Sequence, residues 1–216
     1  GLEKLTVNTN FQADFVWMKE RSDSRSHALF DIVRGAGKIQ YSDGGYAEDT
    51  NEVNGYLDQF NATNFRLSAG STSRNNVAGN GNTYIAYCWK AGSSNTSVSE
   101  SGSGSGAVNA CTHRANTTSG FSIIKYTGFN DTISNGEHTL VTHGLGSPPV
   151  FMMAKALSGS LDWCVIPGEN GGGSWSTDNH MHLNEVDGSS GALHVQPAFP
   201  TDTHVKIGND DIINKD

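Results

Sequence analysis

The chain has 216 residues and a formal net charge of −8, with charged side chains at only 17% of positions. Gly, Ser, Asn and Thr supply 87 of those residues, while the five prolines keep no Gly-X-Y period, which excludes a collagen helix. An acidic balance is the wrong sign for wrapping phosphate backbones, and no apolar run nears the roughly 18 residues of a membrane helix, so neither nucleic acid nor a membrane span is expected.

Low charge, abundant turn formers and scattered aromatics read as short strands joined by loops. In chain order, period-2 alternation predicts strands over 15–19, 27–33, 65–67 and 83–89. Residues 91–119 are nearly free of apolar side chains around Ser101-Gly-Ser-Gly-Ser-Gly106 and read as a linker or long loop. Further strands are predicted over 121–126, 138–142, 150–155, 163–166, 180–183, 193–195 and 204–207. Cys88 and Cys164 fall in strand-like apolar stretches and Cys111 in the linker, so all three are expected to be unpaired.

The two parts read as diverged copies. Phe15-Val-Trp-Met-Lys19 matches Phe151-Met-Met-Ala-Lys155 at an offset of 136, and Thr63-Asn-Phe-Arg-Leu67 matches Thr203-His-Val-Lys-Ile207 at 140. The organisation expected is a first β repeat over 1–90, a Gly/Ser-rich linker or long loop over 91–119, and a second β repeat over 120–216, truncated at its end. The second copy lacks a counterpart of Thr83–Trp89 and the first lacks most of Gly120–Tyr126. Neighbouring segments or other chains are expected to complete the sheets, since bare edge strands invite association. The fold class is all-β, a jelly-roll or lectin-like β-sandwich built from two diverged repeats.

Several motifs occur in order: Phe11-Gln-Ala-Asp-Phe-Val-Trp-Met-Lys19, Leu29-Phe-Asp-Ile-Val-Arg-Gly35, Thr83-Tyr-Ile-Ala-Tyr-Cys-Trp89, Phe121-Ser-Ile-Ile-Lys-Tyr-Thr-Gly128, and His143-Gly-Leu-Gly146 before Pro148-Pro149. Together they resemble a repeated domain of tail fibre and other virion proteins of tailed phages, common in phages of aquatic bacteria. The resemblance covers most of the chain outside 91–119 and the loop around Gly168–Asp178. It implies a β-sandwich, often lectin-like, located in the virion with other virion proteins as partners, and it brings no functional residues with it. Phage fibres are usually trimeric, so a homotrimer is expected. The function expected is structural and adhesive: a tail fibre or receptor-binding segment contacting host surface glycan. A capsid or head decoration or fibre protein without a specific ligand, and a depolymerase acting on surface polysaccharide, are the alternatives.

Catalytic residues are not expected. No spacing gathers convergent titratable groups, no Gly-x-Ser-x-Gly elbow occurs, and His143-Gly-Leu-Gly146 reads as a turn between strands. Adjacent carboxylates such as Asp210 and Asp211 would point to opposite faces of a strand. In Asn179-His-Met-His-Leu-Asn184 the same alternation sends His180 and His182 to one face. A turn near Gly188 would set His182 opposite His194, and three neutral imidazoles could take a transition metal, the one candidate cofactor. The competing reading is a polar outer face with solvent-exposed histidines. For a glycan, ring faces and polar side chains on loops are the natural contacts. Trp175 in Gly171-Gly-Gly-Ser-Trp-Ser-Thr-Asp178, with Asp178, and Tyr41 and Tyr46 in Tyr41-Ser-Asp-Gly-Gly-Tyr46 are the candidates. Trp17, Trp89 and Trp163 lie inside strands and are expected in the core.

Overall fold

A computed structural model describes residues 4–70, 77–128, 133–134, 137–167, 179–186, 190–191 and 199–214. Alternating apolar residues produce short antiparallel strands, beginning with β1 (Lys4–Asn8), β2 (Phe15–Glu20), β3 (Ala28–Asp31) and β4 (Gln40–Tyr41). A 3₁₀ turn at Glu52–Asn54 leads to β5 (Tyr56–Phe60), β6 (Asn64–Ser68) and β7 (Tyr84–Trp89). Then come β8 (Thr96–Val98), β9 (Cys111–Asn116), β10 (Phe121–Tyr126), β11 (Thr139–Thr142) and β12 (Phe151–Ala154). The series ends with β13 (Cys164–Pro167), β14 (Asn179–His182), β15 (Ser190–Gly191), β16 (His204–Ile207) and the one-turn helix α1 (Asp211–Asn214). No described helix is long and apolar enough to cross a membrane.

The chain divides into two compact units, Gly1–Ala91 and Gly92–Asp216. In the first, the sheet β1-β6-β5 faces the sheet β4-β3-β2-β7. Leu57, Phe65 and Leu67 from one meet Val16, Met18, Ala28, Phe30, Ile39 and Tyr41 from the other in a single buried cluster. That arrangement is a β-sandwich, with inward residues alternating with outward ones along each strand. In the second unit, β11-β16 contributes Val141, Val205 and Ile207, and β12-β13-β14-β15 contributes Cys164 and Ile166. Cys111 of the third sheet, β10-β9-β8, and Ile212 and Ile213 of α1 join the same core. The chain is thus all-β and sandwich-like.

The two units repeat each other in register. Phe15 pairs with Asp31 and Met18 with Ala28; Phe151 pairs with Pro167 and Ala154 with Cys164, each position shifted by 136. Val16 and Met18 face the first core, and Met152 and Ala154 face the second. On the opposing sheets, Phe65 and Leu67 correspond to Val205 and Ile207, again with the same side buried. A one-residue slip would have exchanged core and solvent, so the matched faces follow from the matched apolar pattern.

Residues 91–119 are not a linker. They carry β8 and β9, and β9 pairs all six of its residues with β10. His113 and Arg114 are buried there, and the Arg114 guanidinium donates to the Gly92 carbonyl at 3.2 Å. Gly92 at φ +114° lies so close to Ala115 that a Cβ would meet its carbonyl oxygen at 2.3 Å. Cys111, expected in the linker, is a buried core residue of β9.

All three cysteines are free. Burial raises the Cys88 and Cys111 thiols and, with Asp210 adding to the effect, pushes Cys164 up to about 12. Native chain should therefore release its thiols to a disulfide reagent slowly, half-buried Cys88 first and Cys164 last. Three thiols should react after denaturation without reductant; a count below three would reveal a bridge.

Candidate binding face

Because Val16 and Met18 point into the core, Phe15, Trp17 and Lys19 of β2 point away from it. On β7, Ala86 and Cys88 pack inward, which turns Ile85, Tyr87 and Trp89 outward. The register places Phe15 opposite Trp89, Trp17 opposite Tyr87 and Lys19 opposite Ile85. Four aromatic rings therefore share the outer face of one two-stranded ribbon. Tyr87 is 52% exposed and Trp89 38% exposed, and Trp17 is half-buried. This corrects the expectation that Trp17 and Trp89 are core residues.

The rings are ordered by one another. Phe15 meets Trp89 edge-on with centroids 5.5 Å apart, and Tyr87 tilts against Trp89 at 6.5 Å. Trp17 donates its indole N–H to His27 Nδ1 at 2.9 Å. That bond makes Nδ1 an acceptor and sets the neutral tautomer with the proton on Nε2. Burial, followed by Lys19, lowers the His27 pKa against the opposing pull of Asp43. The face thus offers flat apolar rings beside an imidazole N–H and the Lys19 ammonium, which donates to the Asp23 carbonyl. In the second unit Phe151 and Met153 stand where Phe15 and Trp17 do, and among the described residues no strand there corresponds to β7 with Tyr87 and Trp89.

Sequence reasoning missed this face because Thr83–Trp89 and Phe15–Met18 are apolar at both parities. Two apolar faces on neighbouring strands was the available signal. Of the loop candidates, Tyr41 is buried in the first core and donates to Asp49 at 2.9 Å, so it offers no ring to a ligand. Tyr46 is 59% exposed, its ring edge-on to Tyr41 at 6.3 Å. Trp175 and Asp178 lie outside the described residues, as does His194. Trp163 is buried, as expected.

His180 and His182 do share a face, but it points inward. His180 is 5% exposed, and its Nε2 lies 3.2 Å from His182 Nε2, while Met181 faces outward. One ring donates and the other accepts. Burial lowers the His180 pKa, His182 adds to this and Asp210 opposes it. The solvent-exposed reading is thus overturned for His180. On its other side β14 pairs Asn179 with Gly191 and His180 with Ser190. Among the described residues no three His, Cys, Asp or Glu gather as metal ligands.

His143 is buried and bonded at both nitrogens. Leu145 N–H donates to Nδ1 at 3.1 Å, and Nε2–H donates to the Thr201 carbonyl at 3.0 Å. Gly144, at φ +72°, follows because a Cβ there would meet the His113 ring at 2.6 Å. This stretch pins a turn and presents no free base.

No curated protein and no solved structure matches the chain. The model of one family, described as "Domain of unknown function (DUF7483)", matches residues 1–216. A match over the whole length makes the chain a member of the DUF7483 family.

Proposed function

We propose that this chain is a structural and adhesive segment of a phage virion, a tail fibre or receptor-binding piece that contacts host surface glycan. The observation that carries the reading is the outward aromatic ribbon of Phe15, Trp17, Tyr87 and Trp89. Pyranose rings bury their C–H faces against aromatic rings, while the Lys19 ammonium and the His27 N–H suit their hydroxyls. Exposed apolar patches of this kind mark interaction sites more often than they mark idle surface. The virion placement rests on the motif resemblance.

The test is adsorption to host cells and binding on a glycan array. Tyr87→Ala and Trp89→Ala should each weaken binding about 2- to 10-fold, the range of one aromatic contact of about 0.5–1.5 kcal/mol. Tyr87→Ala should move the unfolding free energy by only about 0.5 kcal/mol, as a surface site does. Unchanged adsorption in both variants would sink the glycan reading. The same proposal includes a trimer, which light scattering would report as three times the 23.0 kDa chain.

A further inference from the structure

The match between the two units extends across their four-stranded sheets. Leu29 pairs with Gln40 as Val165 pairs with Met181, and Ile39 bridges Asp49 as His180 pairs with Ser190. Thus β2-β3-β4 recurs as β12-β13-β14. One neighbour does not recur among the described residues. In the first unit, β7 pairs with every residue of β2; in the second, β12 forms the end of its sheet.

The side chains of β12 register that difference. Val16 and Met18 are fully buried, whereas their counterparts Met152 and Ala154 are only partly buried over their core. Ala86 and Cys88 of β7 supply inward cover beside Val16 and Met18. Phe15 has Trp89 at 5.5 Å, while Phe151 is 55% exposed and the preceding Val150 is 73% exposed. Edge strands are normally guarded by charge, proline or a bulge within the strand. Phe151-Met-Met-Ala154 has neither charge nor proline, and it pairs with β13 in unbroken register.

We infer that the outer edge of β12 accepts one antiparallel strand carrying the β7 pattern, supplied by another β-repeat of this kind. The required chemistry is fixed by the edge itself: small or apolar side chains opposite Met152 and Ala154, as Cys88 and Ala86 stand opposite Val16 and Met18, and an aromatic in the Trp89 position, one residue beyond them, to cover Phe151. Main-chain hydrogen bonds along the ladder give affinity, and the alternate side chains give register. The chain's own β7 is engaged with β2 over six residues and does not fill this role. The inference stands whether or not the aromatic ribbon binds glycan.

The experiment uses the full chain and a synthetic peptide of residues 83–90, with Cys88→Ser and a two-lysine tail for solubility. The peptide should bind one per chain, raise the thermal midpoint and slow amide exchange at 151–154 at least about tenfold; a scrambled peptide should do neither. Successive N–H groups of a strand point to opposite edges, so N-methylation at one alternate set should abolish binding and at the other leave it. Protection confined to 15–20, or equal tolerance of both methylated sets, would overturn the inference. So would a chain that already self-associates through β12 and excludes the peptide, since the occupant would then be a second β12.

Discussion

Phe65→Ala should cost about 3–5 kcal/mol, the range for removing a buried phenyl ring from a packed core. Phe65, the second residue of β6, is fully buried between Val7 of β1 and Phe60 of β5, in the cluster formed with the facing sheet. A domain's whole stability is about 5–15 kcal/mol, so the first unit would lose roughly a fifth or more of it. The neighbouring substitution Arg66→Ala is the control. Arg66 points the other way and pairs with Asp58 at 2.9 Å, with its side chain 40% exposed. An ion pair at such a site contributes about 0–1 kcal/mol. Denaturant unfolding of both variants, read on the first unit, decides the matter: a Phe65→Ala loss below about 1 kcal/mol would mean that the strand faces are reversed.

That contrast also shows what the sequence made legible. Phe65-Arg-Leu67 alternates cleanly, so both the strand and its inward face could be read from residue type alone. Where the offset copies align, even the pairing register recurs, because apolar spacing and strand length were kept together. Where a strand is apolar at both parities, the pattern does not choose a side. Trp17 and Trp89 therefore read as core residues, and the aromatic ribbon stays hidden in the pattern. The opposite failure occurred at β9, where Cys111-Thr-His-Arg-Ala-Asn116 has no apolar period to announce a strand. Its structure is set by hairpin pairing with the neighbouring β10 and by burial of His113 and Arg114, neither of which an apolar period announces. β4 is only two residues long, and Tyr41 at its end is buried because Ala28 pairs beside it, which a Ser-Asp-Gly-Gly context hides. His180 stands where the first unit has Ile39, so a core position looked like a polar surface one.

Acid should destabilise the fold well above the carboxylate range. Burial is the leading cause that lowers the pKa of His27, His113, His138, His143, His180 and His204 from the ordinary 6.5. Above pH 6.5 both folded and unfolded histidines are neutral, and the stability tied to their neutrality is fully present. As pH falls below 6.5 the unfolded chain takes up protons that the folded chain refuses, so stability is lost down to and through each folded pKa. Each such group removes up to about 1.4 kcal/mol per pH unit within its window. The effect concentrates at His143, His180 and His113, the three buried ones, because a half-exposed ring gains a proton at little cost. His143 has a further reason: its Nδ1 accepts from Leu145 N–H, and protonation converts that acceptor into a donor facing a donor. Asp58 belongs to a separate, lower window. Its carboxyl is buried, which opposes ionisation, but Arg66 and Lys4 together hold its pKa below 3.8, so its contribution disappears only as pH falls further. The unfolding free energy should thus fall as the pH drops from 7 to 5, by no more than about 1.4 kcal/mol per pH unit for each such ring. His143→Gln should lower the midpoint at pH 7, through lost hydrogen bonds, yet flatten its decline with acid. Stability that stays level from pH 7 to pH 5, or a decline of unchanged slope in the variant, would show that these rings are not held neutral by the fold.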